Sequence, residues 1–212
     1  MEHFEERLGQ FALRIEKNKF TPYDSEDEMI MDLWCNEALK HKIIEEYIYH
    51  PKKPYMIFPE VTRTTKTGTT EVLLRELVYT PDFIVKFSEV YHGTIFDYLN
   101  KGLFKIRKTM FLTDDSKTAF IDVKSEYTDR YGSYRDFRYI KRGMMQLYGI
   151  YVNKCIVISN KNNKSLLAAT FTPTEYLFRP KRKGDSFLKV KVKKVTTIKE
   201  FIQNYGNKKN RK

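Results

Sequence analysis

The spacing of apolar residues changes several times along the chain, and each change predicts an element. Over residues 1–20, Phe4, Leu8, Phe11, Leu13 and Ile15 form an imperfect stripe among charges. That pattern predicts an amphipathic helix that packs on its own domain or makes a dimer contact. Ser25 followed by Glu28 matches a capping box. Met29, Ile30, Leu33, Trp34 and Leu39 then supply the apolar face of a helix running to about Lys40. Residues 42–49 fit a strand or a helix. After the breaks at Pro51 and Pro54, residues 55–58 read as a strand, the Thr- and Gly-rich stretch 64–70 as a turn, and 72–79 as the return strand of a hairpin. Pro81 fixes a turn, and β character resumes over 83–87.

Residues 88–118 are longer than a tight hairpin needs and read as an insertion that contacts substrate or forms a small subdomain. A β-rich run over 119–123 precedes a helix predicted from about 133 to 151. On that helix Phe137, Ile140, Met144, Leu147, Tyr148 and Tyr151 recur at helical spacing and are expected to face a sheet. Arg135, Arg138, Lys141 and Arg142 fall largely on its other side, as a solvated face or as phosphate contacts. Residues 154–159 are nearly all apolar, as a buried central strand requires. Residues 166–171 read as a further strand ending at Pro173. Lysine alternates with apolar residues over 187–193, the pattern of an edge strand with a cationic outer face. A short helix capped by Thr196 or Thr197 and a basic tail from Gly206 complete the chain.

Length and composition narrow the function classes. The 212 residues suit one domain with appendages: an N-terminal helix (1–20), a core (21–175) interrupted by 88–118, and a basic C-terminal extension (176–212). The formal net charge of +12 favours an anionic partner. Cys35 and Cys155 lie far apart in apolar settings and read as buried free thiols. The histidines His3, His41, His50 and His92 show no metal-ligand spacing. No apolar run approaches membrane-spanning length, and the amino terminus is acidic and polar, so an intracellular soluble protein is expected.

Candidate chemistry sits in two short runs. Pro81-Asp82 precedes Phe83-Ile84-Val85, and Asp122-Val123-Lys124 follows Phe120-Ile121, so each puts a carboxylate on an apolar, β-rich stretch. Two carboxylates that converge can hold a divalent cation through hard oxygen ligands. Lys124 shares a strand face with Asp122, because strand side chains alternate. The structural alternatives are a turn after Pro81 and a solvated Asp122–Lys124 charge pair. A second Asp-x-Lys, Asp115-Ser116-Lys117, lies in a polar, turn-like cluster instead.

Pro81-Asp82 with Asp122-Val123-Lys124 resembles the signature of the PD-(D/E)xK nucleases. The run Tyr23-Asp24-Ser25-Glu26-Asp27-Glu28 is similar to the aromatic-Asp-Ser-x-x-Glu start of small phage-type endonucleases of that superfamily. The resemblance spans roughly residues 21–160. It implies an α/β fold with a restriction-endonuclease-like αβββαβ core, a mixed central sheet flanked by helices. It also implies Mg²⁺ or Mn²⁺ held by Asp82, Asp122, the Val123 carbonyl and Glu28, with Lys124 acting on the attacking water. The residue-level alternative for Glu28 is a cap partner bonding back to the Ser25 amide. The implied activity is endonucleolytic cleavage of DNA, structure-selective on branched or junction DNA, in recombination, replication or phage genome processing. Arg135, Arg138, Lys141, Arg142, Lys181, Arg182 and Lys183 would hold the DNA backbone. The chain departs from the RecB-type Gln-x-x-x-Tyr signature: Gln146 is present, but position 150 is Ile. The competing reading, a non-enzymatic basic nucleic-acid-binding protein, explains the charge but not the paired carboxylates.

Overall fold

A computed structural model describes residues 22–91, 117–125, 134–159, 165–178 and 195–209. The expected helix over 1–20, most of the 88–118 insertion, the edge strand over 187–193 and the cluster of Lys181, Arg182 and Lys183 lie outside the described residues. The rest is a mixed α/β fold. In chain order it contains α1 (Glu26–Lys40), β1 (Ile44–Tyr49), β2 (Tyr55–Phe58), β3 (Val61–Thr64), β4 (Thr70–Leu74), β5 (Leu77–Tyr79), β6 (Phe83–Phe87) and β7 (Thr118–Val123). There follow α2 (Tyr134–Tyr148), β8 (Val152–Cys155), α3 (Leu166–Ala169), α4 (Thr174–Phe178) and α5 (Ile198–Lys209).

A four-stranded sheet in the order β1-β6-β7-β8 forms the centre. β1 runs antiparallel to β6, β6 antiparallel to β7, and β7 parallel to β8. A parallel pair needs a crossover, and α2 supplies it between β7 and β8. The open choice for residues 42–49 resolves as a strand. The wide sequence interval between Asp82 and Asp122 does not prevent pairing: Phe83 lies opposite Ile121 and Val85 opposite Ala119.

Strand alternation separates two apolar layers. Phe83, Val85 and Phe87 from β6 and Ala119, Ile121 and Val123 from β7 point into one core with Trp34, Phe171 and Phe201. Trp34 is fully buried, stacks on Phe171 with ring centroids 5.3 Å apart, and donates its indole N–H to Thr170 Oγ1 at 3.0 Å. Phe120, on the opposite face of β7, joins Ile57, Tyr79, Phe137, Met144 and Val152 in a second core beneath α2. Asp122 alternates with Phe120 in sequence and therefore belongs to the α2 side.

The hairpin over 55–79 forms, but as two separate ladders, β2 with β5 and β3 with β4, each with a register shift of its own. The single return strand expected over 72–79 is thus broken at 75–76. Residues 166–171 are a short helix rather than a strand. Ser165 caps α3, its Oγ accepting from the Ala168 N–H, and the apolar pair Leu166-Leu167 is buried on one turn. A short apolar run does not by itself distinguish the two states. The strand expected over 154–159 pairs only from 152 to 155. Beyond it the Ile156 and Val157 carbonyls accept from Leu166 and Leu167. α2 ends at Tyr148, and Leu147 (58% exposed) and Tyr148 (42%) do not face the sheet as periodicity suggested. α5 continues to Lys209, through the start of the expected tail. Its first turn carries a reciprocal cap, Thr197 N–H to Glu200 Oε2 at 2.8 Å and Glu200 N–H to Thr197 Oγ1 at 3.3 Å. Cys35 and Cys155 are buried free thiols. Among the described residues, no helix is long and apolar enough to cross a membrane.

Candidate active site

β6 and β7 begin and end beside each other. Their antiparallel register pairs Phe83 with Ile121, so the next step outward sets Asp82 across from Asp122. Directly opposed residues on antiparallel strands have Cβ atoms about 4.5–5.5 Å apart, close enough for both carboxylates to reach one ion. Pro81 places Asp82 immediately before the strand, outside its ladder hydrogen bonds. Its Oδ2 instead accepts the Val123 N–H at 2.7 Å. The backbone next to Asp122 is thereby tied to the Asp82 carboxylate.

Asp122 is nearly buried, with its side chain 5% exposed. Tyr79 donates its hydroxyl to Oδ1 at 3.2 Å, and Lys124 Nζ stands 2.5 Å from Oδ2. The Lys124 contact is an ion pair that leaves Oδ2 without a well-aligned hydrogen bond. The expected shared face of Asp122 and Lys124 is therefore present. Burial and the neighbouring Asp122 push the Asp82 carboxyl up to about 7, against the pull of the Val123 amide and Lys124. Burial also raises Asp122, opposed first by Lys124 and then by the Tyr79 hydrogen bond. A buried carboxylate pair with raised proton affinity is what a divalent cation would relieve, so the donor set fits a hard metal ion.

Glu28 lies in the first turn of α1 and is buried. It accepts from Ser25 Oγ at 3.1 Å and from the Asp24 N–H at 3.3 Å, while Ser25 Oγ accepts from the Glu28 N–H at 3.2 Å. The expected bond to the Ser25 amide is thus replaced by bonds to the Ser25 hydroxyl and the Asp24 amide. Glu28 also faces the sheet. Tyr49 donates its hydroxyl to Oε2 at 2.8 Å, and His50 Nε2 lies 3.6 Å from the same oxygen. His50 Nε2 is 4.0 Å from Asp82 Oδ1, so the imidazole stands between the two carboxylates. Asp24, Glu28 and His50 together bring metal-ligand atoms within 4.8 Å of one another.

His50 is the residue that histidine spacing missed. It follows β1, which pairs Tyr49 with Phe83, so it meets Asp82 only once β1 lies against β6. Its left-handed φ of 45° is held by its N–H, which donates to the Asp82 carbonyl at 2.9 Å, and by stacking on Tyr49 with centroids 4.0 Å apart.

On α2 the basic residues divide. Arg138 and Arg142 are exposed, as expected, whereas Lys141 turns inward and donates to Tyr151 Oη at 2.7 Å. Lys141 was expected among the outward cations. Its neighbours Phe137 and Met144 are buried, and Lys141 shares their side of the helix. The Arg135 side chain lies outside the described residues. No protein-family model, no curated protein and no solved structure matches the chain.

Proposed function

We propose that this chain is a metal-dependent endonuclease that cleaves DNA phosphodiester bonds, built on a restriction-endonuclease-like αβββαβ core. The observation that carries the reading is the register of β6 against β7, which sets Asp82 opposite Asp122 with Lys124 ion-paired to Asp122. The strand sequence supports it further: antiparallel, antiparallel, then parallel after a helical crossover, with α1 preceding the sheet.

Asp82, Asp122 and the Val123 carbonyl would hold Mg²⁺ or Mn²⁺, with Glu28 reaching it directly or through water. The ion would neutralise charge at phosphorus and lower the pKa of a bound water. The protein's own part is positional. The Val123 N–H fixes Asp82, and the Tyr79 hydroxyl fixes Asp122. Lys124 is held on Asp122, where it can orient the attacking water and offset negative charge as the phosphate reacts. Arg138 and Arg142, together with Lys181, Arg182 and Lys183, supply backbone contacts. No base-reading motif stands out in the sequence, which favours structure-selective cutting of branched or junction DNA.

The test is cleavage of plasmid and branched DNA in Mg²⁺ or Mn²⁺ by the wild type and by Asp122→Asn. Cleavage that depends on metal and disappears in the variant supports the reading. Binding without cleavage under every metal condition would replace it with a basic nucleic-acid-binding protein.

A further inference from the structure

The inward turn of Lys141 separates it from the other cations of α2. Its Nζ stands 4.2 Å from the Tyr151 ring centroid and 5.6 Å from that of Phe137, in addition to its bond to the Tyr151 hydroxyl. Lys124 Nζ lies 5.5 Å from the same Phe137 ring. One aromatic ring is thus flanked by two ammonium groups, and one of these is ion-paired to Asp122. Across the parallel ladder, buried Lys154 pairs with Asp122 and adds positive potential to the same wall.

A half-buried ammonium loses hydration, and its usual compensation is a carboxylate. Among the described residues Lys141 makes no ion pair. Desolvation, followed by the charge of Lys154, lowers its pKa to about 8, and Asp122 acts in the opposite sense. Arg138 and Arg142 are exposed on the same helix, so the inward turn sets Lys141 apart from them. The aromatic slot keeps the cation preorganised where the Asp122 charge still acts on it, which suits an anion arriving from solution.

We propose that Lys141 is a second cationic contact to the reacting phosphate, held by Tyr151 so that the phosphodiester lies between it and the Asp122–Lys124 pair. This rests on the nuclease reading above and adds to it a residue that acts on the reaction rather than on general DNA affinity. Lys141 would touch a non-bridging phosphate oxygen. Tyr151 would act as a positioning residue.

The experiment compares Lys141→Met, Lys141→Arg and Tyr151→Phe with the wild type, alongside Arg142→Ala and Asp122→Asn. Single-turnover cleavage is measured at saturating protein, and DNA affinity is measured in Ca²⁺. Lys141→Met should lower the single-turnover rate by about 10²-fold, the size expected for a lost charge-stabilising contact, with affinity little changed. Arg142→Ala, which removes one of the proposed backbone contacts, should show its main loss in affinity. Tyr151→Phe should fall between the wild type and Lys141→Met. The pH profile gives a second readout that does not depend on the methionine variant folding well. The groups facing Lys141 are Tyr151, Lys154, Asp122 and Lys124, and all of them are retained in Lys141→Arg. The arginine stays charged, so its rate should persist above pH 8, where the wild-type rate declines as Lys141 loses its proton. If Lys141→Met cuts at the wild-type rate while Asp122→Asn is inactive, this inference is overturned and the nuclease reading stands. If the wild type cuts no DNA under any metal condition, the nuclease reading falls and takes the inference with it.

Discussion

Asp82 binds its proton far more tightly than an aspartate in an unfolded chain, at about 7 against 3.8. Between those values the folded state holds a proton that the unfolded state has lost. The metal-free protein is therefore most stable at the acidic end of the window and loses stability as pH rises through it. A bound cation needs the deprotonated carboxylate, so metal should stabilise more as pH rises. The expected outcome is a Mn²⁺-induced rise in Tm that is small near about pH 5 and large near about pH 8, and that flattens in Asp82→Asn. An equal rise at both pH values in the wild type would rule out Asp82 as a ligand. Glu28 answers to a different measurement. Its carboxylate receives only donors: the Ser25 hydroxyl, the Asp24 N–H and the Tyr49 hydroxyl. Glu28→Gln would turn an amide N–H₂ toward one of them, at a cost of about 1–3 kcal/mol in unfolding free energy. If Glu28 also serves the metal, the Mn²⁺ concentration for half-maximal cleavage should rise in that variant. If that midpoint stays fixed while stability falls, Glu28 is only a cap. At this scale the sequence was readable where partners are close in the chain. Asp122 with Lys124 and Ser25 with Glu28 are two and three residues apart. His50 and Asp82 meet only across a strand pair, so no spacing rule could reveal them.

Elements show the same division between local and tertiary causes. α1 was legible because its cap, its acidic first turn and its apolar face all lie within 15 residues. α2 was legible as a helix, but not in its facing. Periodicity assigns Leu147 and Tyr148 to the sheet, whereas of the residues expected on that face Phe137 and Met144 are the buried ones. The reason is the close approach of α2 to β2. A Cβ built on Gly143 would lie 2.4 Å from Ile57 Cγ2, so the helix is seated by a residue without a side chain. Its C-terminal end then projects along the hairpin, where the Tyr148 hydroxyl donates to the Met56 carbonyl at 2.9 Å. Gly143→Ala should therefore lower stability by about 1–3 kcal/mol through overpacking, although alanine is the better helix former. Chemical denaturation measures this, and the double variant with Ile57→Ala should recover part of the loss, since the two residues share one contact. Additive losses would mean that the helix is not seated there. Residues 166–171 fit a strand in sequence for a related reason: two adjacent leucines carry no period, and only the Ser165 cap marks the helix.

For the whole molecule, the charge of +12 favours an anionic partner without saying where such a partner would bind. The hairpin over 55–79 does not share the excess: Arg63, Lys66 and Arg75 are matched by Glu60, Glu71 and Glu76. The order of strands in the sheet could not be read from the chain, because β6 and β7 are separated by a long segment and β1 pairs past the hairpin. Hydrogen bonding between elements decides both. Once assembled, the molecule holds two classes of cation that make opposite predictions. Lys124 is fixed on Asp122 and should act when charge develops at phosphorus, so Lys124→Ala should lower the saturated single-turnover rate by about 10²-fold with little change in affinity. Lys181, Arg182 and Lys183 form a basic run outside the described residues, and replacing all of them with alanine should do the reverse. Each lost contact to a duplex phosphate flattens the dependence of log affinity on log salt by about 0.9, so the triple variant should bind more weakly and less salt-sensitively while cutting at the wild-type rate once saturated. A salt series in Ca²⁺ and a saturated cleavage time course separate the two classes. If Lys124→Ala instead behaves like the triple variant, losing affinity and salt dependence but not rate, the lysine belongs to the general cationic surface. The carboxylate pair would then stand without its proposed catalytic partner.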